Sequence, residues 1–232
     1  MRPAAPFLTL GTRRWGQSRT LVAASALLVT LPVFLQAPWV RLSPASAAVF
    51  TAVLVAMGVV LANSADQQHQ RLGSLLVGFA GSWLAGSLFW GWARLHPLWH
   101  LPIEAFALPL ALAGLGGRWR LGCGFYLGSL LGTAATDAAI AATGLMPLWP
   151  QALAAAPAEA GRILHLAGLQ VLQPIGLMVV LGFACLLLLL SRWLWQQGEV
   201  GRVASSALST TLAVDGIFLL AALVAPRLSG LI

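Results

Sequence analysis

Charged residues are scarce in this sequence. Only 8% of its 232 residues are Asp, Glu, Lys or Arg, while 59% are hydrophobic. A chain of this length cannot bury so much apolar surface in a water-soluble core. A soluble globular protein is therefore excluded, and the sequence predicts an integral membrane protein.

Lysine is absent, and cysteine nearly so. All 13 basic residues are arginines, which stand singly or in pairs, and no basic stripe with interleaved aromatic residues occurs. This pattern argues against nucleic-acid binding despite the formal net charge of +7. Cys123 and Cys185 both fall in apolar segments, so they are predicted to be small packing residues rather than parts of a disulfide framework.

Seven apolar runs are each close to the ~20 residues needed to cross the ~30 Å hydrocarbon layer of a bilayer. The predicted fold is an all-α, polytopic transmembrane helix bundle of about seven spans. The runs lie near 20–38, 45–62, 73–93, 101–116, 121–143, 167–191 and 204–225. They predict one transmembrane helical domain, preceded by a cytoplasmic tail and followed by a short C-terminal tail. These three parts are 1–19, 20–225 and 226–232.

The distribution of arginine predicts the orientation of these spans. With the amino terminus in the cytoplasm, nine arginines fall on the cytoplasmic side and four outside. This asymmetry agrees with the positive-inside rule, and the opposite orientation would invert it. Tryptophans concentrate at both ends of the spans, as expected for the aromatic belts of the two membrane interfaces.

A second interpretation of the amino terminus is a targeting signal. Arg13 and Arg14, followed by an apolar run and the small-residue stretch SPASAAVF, resemble a secretory or twin-arginine signal. Cleavage there would leave six spans. Pro32, Pro38 and Trp39 lie late in the apolar run and argue against this interpretation.

Two of the runs carry small residues at every fourth position, which places them on one face of a helix. The stripes are Ser74, Gly78, Ser82 and Gly86 in the third run, and Gly124, Gly128, Gly132 and Thr136 in the fifth. Such stripes allow the backbone of a neighbouring helix to approach closely. They predict the tightly packed centre of the bundle, in preference to a dimer contact.

Ionisable and polar groups inside the apolar runs mark the candidate site. Such groups cost several kcal/mol at membrane depth unless they face protein or a wet cavity. With the predicted orientation they converge on the outer leaflet as a polar vestibule, with Asp215 at its deep end and Thr211 one helical turn before it. The candidate cavity residues are His96, His100, Glu104, Tyr126, Thr133, Asp137, Gln170, Gln173 and Asp215.

Two interpretations of Glu104 remain open. Pro102 suits the first position of a helix, which would make Glu104 an acid at the third position, stabilised by the helix dipole. Alternatively, His96, His100 and Glu104 are four residues apart and share a face that could hold a metal ion. Pro97 and Pro102 interrupt that spacing and a fourth ligand is missing, so the metal content stays unknown and no cofactor is predicted.

Four stretches of the sequence resemble a known family. They are LPVFLQAPWVRLSP, GSLLVGFAGSWLAGSLFWGW, HPLWHLPIEAFALPLAL and FYLGSLLGTAATD. They are similar to a family of uncharacterised cyanobacterial integral membrane proteins, classed as a domain of unknown function, over about residues 25–190. The resemblance implies a cyanobacterial source and a plasma or thylakoid membrane. It implies no activity, substrate or catalytic residue.

Three functions are compatible with these patterns. A small-solute or ion transporter with an outward-facing polar cavity fits the polar groups and the helices broken at Pro102 and Pro174. A structural or assembly partner of photosynthetic membrane complexes fits the tryptophan belts and the glycine stripes. An intramembrane metal-dependent enzyme is the weakest alternative, because no nucleophile and base are recognisable and no catalytic residue is assigned. The expected partners are the lipid bilayer and other membrane proteins.

The arginine asymmetry leads to a topological prediction. Reporter fusions made after Arg120 and after Gln151 should lie on opposite sides of the membrane, with the first in the cytoplasm. A cytoplasmic and a periplasmic reporter should therefore be active at different fusion points. Activity of the same reporter at both points would contradict the predicted topology.

Overall fold

The computed structural model describes residues 7–226, and it describes side chains for 18–226. Most of the two predicted tails, 1–19 and 226–232, lies outside the range with described side chains. Over the described range the chain is helical and contains no strand. The predicted all-α membrane bundle is confirmed.

Eleven α-helices are present in the described part of the chain, together with two π-helical turns and one 3-10 turn. The α-helices are α1 (Phe7–Leu31), α2 (Ala37–Leu42), α3 (Pro44–Ala62), α4 (Gln67–Leu88), α5 (His100–Glu104), α6 (Leu108–Gly114), α7 (Arg120–Ala142), α8 (Leu148–Ala154), α9 (Pro157–Val171), α10 (Pro174–Trp195) and α11 (Gly198–Val224). The π-helical turns are Pro32–Gln36 and Phe89–Ala93, and the 3-10 turn is Pro97–Trp99.

Six segments in the described range are long and apolar enough to cross a membrane. They are Ser18–Leu42, Pro44–Ala62, Gln67–Ala93, Arg120–Ala142, Pro174–Trp195 and Gly198–Val224. The predicted number of about seven also counted the run 101–116. That run instead forms the two short helices α5 and α6, separated by a turn at 105–107. Pro102 and Pro109 contribute to this shape, since proline lacks the N–H that a continuous helix requires.

The broken segment α5–α6 nevertheless returns along α7. Its first residue, His100, contacts Asp137 near the end of α7, and its last, Gly114, lies against Cys123 near the start of α7. The fourteen-residue separation of these two contacts on α7 corresponds to about 21 Å. The segment α5–α6 therefore extends along most of the length of α7, as two short helices joined by a turn.

The long helices form two antiparallel sets. Helices α7 and α11 run in the same direction, because Gly124 meets Val200 near their starts and Thr136 meets Asp215 near their ends. Helix α4 shares this direction. Helix α1 does too, because Ser18 lies near Arg202 at the start of α11 and Gln36, in the turn after α1, contacts Ser87 near the end of α4. Helix α3, the segment α5–α6 and α10 run the opposite way.

This arrangement gives the bundle two chemically different ends. We call the end where α4, α7 and α11 begin the arginine end, and it carries Arg71, Arg118, Arg120, Arg192 and Arg202. We call the other end the histidine end, and it carries His100 and His165. The predicted assignment of the arginine end to the cytoplasm remains a prediction.

The predicted sixth run, 167–191, is interrupted. Helix α9 ends at Val171, and Pro174 begins α10 in a new direction. Gln170, which falls within the predicted sixth run, therefore lies on α9 and not on the span itself. His165 also lies on α9, at the histidine end. The physical reason is that Pro174 disfavours a helical conformation for the residue before it, and Gln173 is extended.

Helix α4 lies at the centre of the bundle. Of the 18 most apolar consecutive residues in Gln67–Ala93, 56% are buried inside the bundle. The corresponding share is 33% or less in each of the other candidate spans. Phe79 and Trp83 of α4 form edge-to-face contacts with each other and with Phe125 of α7 and Phe50 of α3. These contacts join three helices into one apolar core.

The two small-residue stripes contact different partners. A Cβ atom added at Gly78 of α4 would overlap the carbonyl oxygen of Gly122 on α7. One added at Gly128 of α7 would lie 2.5 Å from the carbonyl oxygen of Ala204 on α11. Both approaches are far closer than van der Waals contact, so neither position accepts a side chain without moving a backbone. Helix α7 is thus held between α4 and α11.

Enlarging Gly128 is expected to separate α7 from α11. We expect Gly128→Leu to destabilise the folded protein by at least about 2 kcal/mol, since the leucine would displace the backbone of Ala204. The measurement is the midpoint of thermal unfolding in detergent, together with the yield of folded protein. Gly182→Leu is the matched control, because its side chain would meet nothing within 4 Å. Equal midpoints for the two variants would contradict the close packing of α7 on α11.

Candidate functional site

An imidazole and a carboxylate meet between α5 and α7. The Nδ1 atom of His100 lies 3.0 Å from each carboxylate oxygen of Asp137. The two side chains are only 13% and 11% exposed, so little water reaches the contact. A pair of this kind is stabilised by hydrogen bonding and, when the imidazole is protonated, by opposite charge.

Tyr126 holds the broken segment against α7 so that His100 can reach Asp137. Its hydroxyl group donates a hydrogen bond to the carbonyl oxygen of Glu104 and accepts one from the backbone N–H of Ala107 at 3.2 Å. Both backbone groups belong to the interruption between α5 and α6. An interrupted helix exposes such groups, and lipid offers them no partner. The hydroxyl group of Tyr126, on α7, is the hydrogen-bonding partner of both backbone groups.

Aromatic rings surround the imidazole of His100. The ring centroid of Phe89 lies 4.3 Å away, that of Trp149 5.6 Å and that of Trp90 6.4 Å. Phe89 and Trp90 belong to the π-helical turn at the end of α4, and Trp149 donates a hydrogen bond to the carbonyl oxygen of Arg94 at 2.9 Å. We call these three rings the aromatic enclosure. They shield the His100–Asp137 contact from lipid and solvent.

A second carboxylate is bound between α7 and α11. The hydroxyl group of Thr136 donates to Oδ2 of Asp215 at 2.6 Å and also contacts the carbonyl oxygen of Gly132 at 3.0 Å. Asp215 lies within electrostatic range of Asp137, as does Glu104. Three carboxylates and one imidazole, carried by α5, α7 and α11, therefore occupy one region of the histidine end.

The comparison with known families covers this whole region. Residues 25–223 match the family described as protein of unknown function (DUF3120). The chain belongs to this family. The match extends beyond the 25–190 range of the sequence resemblance and includes α11 with Asp215. No curated protein and no solved structure matches the chain.

Several predicted cavity residues of this DUF3120 protein lie apart from the His100–Asp137 contact. His96 is exposed in the turn before α5, and Gln173 is exposed before α10. Gln170 donates to the carbonyl oxygen of Thr143 at 2.8 Å and is also exposed. Thr133 makes no hydrogen bond to any residue in the described range.

One of the two interpretations of Glu104 is wrong. Glu104 is the last residue of α5, which begins at His100, so it does not occupy the third position of a helix start. Thr211 lies one helical turn before Asp215 on α11, and its hydroxyl group donates to the carbonyl oxygen of Ala207 at 3.1 Å. Thr136 of the neighbouring helix is the partner of Asp215, because parallel packing of α7 and α11 brings the two together.

The predicted face of His96, His100 and Glu104 is not formed. A 3-10 turn, Pro97–Trp99, separates His96 from α5. Within 18–226 no group of three His, Cys, Asp or Glu side chains has the geometry of a metal site. The residues present support a hydrogen-bonded imidazole–carboxylate pair.

Gln36 is a buried polar residue outside the predicted set of cavity residues. It is 3% exposed, and its amide nitrogen donates to the hydroxyl group of Ser87 at 2.7 Å and to the carbonyl oxygen of Trp83 at 2.5 Å. It joins the π-helical turn Pro32–Gln36 to α4. An amide inside an apolar run was the available signal, of the same kind that drew attention to Gln170.

Removal of the Tyr126 hydroxyl group tests the support of the broken segment. We expect Tyr126→Phe to destabilise the protein by about 1–3 kcal/mol, because two backbone groups at the interruption lose their partner. Thermal unfolding in detergent is the measurement. Thr133→Val removes a hydroxyl group from the same helix without breaking a described hydrogen bond and should change the midpoint little. Equal effects of the two substitutions would show that Tyr126 does not hold the segment.

Proposed function

We propose that this protein is a small-solute or ion transporter whose binding site is centred on the His100–Asp137 contact. The observation that carries the proposal is the placement of this buried contact between α7 and the broken segment α5–α6. Ionisable residues at membrane depth are costly, and they commonly mark substrate paths or proton relays.

The broken segment supports transport because it is a discontinuous helix that lies beside the His100–Asp137 contact. Transporter sites are commonly built from discontinuous helices, whose interruptions expose backbone groups to a bound substrate. Here the interruption at 105–107 lies between the His100 contact and the arginine end. Tyr126 makes two hydrogen bonds that tie this interruption to α7. A movement of α5–α6 relative to α7 would open the site.

The chemistry of the site favours a cation or a proton as the coupled species. Asp137, Asp215 and Glu104 provide three carboxyl groups in the region of one imidazole, and carboxyl groups can bind a cation or carry a proton. No nucleotide-binding loop of the GxxxxGK type occurs in the sequence. Energy for uphill transport would therefore come from an ion gradient or from a partner protein. We propose the cyanobacterial plasma or thylakoid membrane as the location, on the basis of the sequence resemblance.

Proton movement through reconstituted protein provides the test. Purified protein is inserted into liposomes that contain a pH-sensitive dye, and a potassium diffusion potential is imposed. We expect proton flux above that of empty liposomes, and we expect Asp137→Asn to lower it at least about tenfold, because an amide cannot carry the proton. Asp66→Asn is the matched control, since Asp66 caps α4 at the exposed surface and an asparagine can keep that cap.

Protein level separates transport from the alternative role in assembly. If Asp137 serves transport, Asp137→Asn should leave the amount of inserted protein near normal while failing to restore the growth of a deletion strain. If the protein is instead a structural partner of another membrane complex, the amount of protein and the growth should fall together. Flux equal to that of empty liposomes for the wild-type chain, together with stoichiometric recovery of a partner complex, would favour assembly.

A further inference from the structure

A lateral cleft lies at the arginine end, far from the His100–Asp137 contact. It is formed by α1, α10 and α11 and has a volume of about 480 Å³. One wall is a chain of hydroxyl groups, in which Ser191 lies 2.7 Å from Ser205 and 2.6 Å from Ser209. Ser191 and Ser205 are buried, whereas Ser209 is half-buried, and its hydroxyl group can rotate to donate to an anionic group in the cleft.

Arg192 lies at the mouth of the cleft, in the last turn of α10. Its side chain is exposed and makes no hydrogen bond or ion pair with any residue in the described range. The nearest acid in the sequence, Glu199, is already paired with Arg71 at 3.2 Å. Residues 1–17 contain no Asp or Glu, so the amino-terminal stretch brings no carboxylate to the cleft either. The guanidinium group is therefore available to an external anion.

The deeper part of the cleft carries apolar side chains beside one further hydroxyl group. Leu188 lies one turn from Arg192 towards the middle of α10, and Ala213 lies further along α11, beyond Thr210. Trp195 lines the cleft near the end of the span, where tryptophan commonly marks the headgroup level of a membrane. The cleft thus carries a cationic group and hydroxyl groups near the arginine end and becomes more apolar with depth.

We propose that this cleft is a binding site for an anionic phospholipid. Arg192 and the serine hydroxyl groups would bind the phosphate, since arginine matches the geometry of phosphate oxygens. Leu188 and Ala213 would contact the first part of an acyl chain. An anionic headgroup is favoured over a zwitterionic one because unpaired arginine charge lies at the mouth of the cleft, and a choline group would be repelled by it. The proposal is independent of the transport function.

Lipid titration of the full-length protein in neutral detergent tests the proposal. Phosphatidylglycerol, phosphatidylcholine with the same acyl chains, and inorganic phosphate are added separately, and thermal stability is followed. We expect phosphatidylglycerol alone to raise the unfolding midpoint. Arg192→Gln should shift the half-saturating lipid concentration about tenfold upwards, the effect of losing one charge-assisted hydrogen bond. Arg120→Gln removes the same charge at the same end outside the cleft and should not shift it.

A second variant tests the apolar part of the cleft without changing charge. Ala213→Phe would fill the space next to Leu188 and should weaken lipid binding while leaving the unfolding midpoint without lipid near that of the wild-type protein. Unchanged lipid titrations for both Arg192→Gln and Ala213→Phe would overturn the proposal. Equal stabilisation by inorganic phosphate would show a free-anion site, and equal stabilisation by phosphatidylcholine would show general lipid solvation. Either result would also overturn it.

Discussion

The hydrocarbon layer offers no hydrogen-bonding partner, and the structure of this protein follows from that constraint. An interruption in a crossing segment exposes backbone groups that lipid cannot satisfy. Here Tyr126 satisfies two of them, at Glu104 and Ala107. This anchoring in turn places His100 beside Asp137, so that two ionisable side chains also satisfy each other. The candidate site therefore depends on the way in which the broken segment is held.

Close backbone packing makes this arrangement possible. Gly78 lies directly against Gly122, and Gly128 lies against Ala204, so α7 is fixed between two helices that run parallel to it. Three parallel helices force the chain between α4 and α7 to cross back in a short segment. That return segment is interrupted at 105–107, between Pro102 and Pro109. Helix α7 thus carries both the closely packed glycines and Asp137 of the polar site.

Composition and apolar runs were sufficient to predict the helical membrane bundle, because lipid permits few other structures for such a sequence. The contact between His100 and Asp137 was less accessible, since it joins residues 37 apart through a segment whose path depends on tertiary packing. Helical spacing placed His96 with His100, but the turn between them is set by Pro97. The role of Gln36 was less accessible because its partners, Trp83 and Ser87, lie 47 and 51 residues further along the chain.

The family match includes both ends of the bundle. The DUF3120 match covers 25–223, so the bundle, the aromatic enclosure and both carboxylate contacts belong to one family unit. The histidine end combines the His100–Asp137 contact with an interrupted segment. The arginine end combines the exposed guanidinium group of Arg192 with a cluster of serine hydroxyl groups. We propose different ligands for the two ends, a small cation at one and an anionic lipid at the other.

The most direct test of the central claim is a double-mutant cycle on the proton flux of His100→Gln and Asp137→Asn. If the two residues act as one unit, the double variant should lose no more flux than the more severely affected single variant, because each substitution already disables the pair. Losses that multiply in the double variant would show that His100 and Asp137 act independently, and would contradict a site built on their contact.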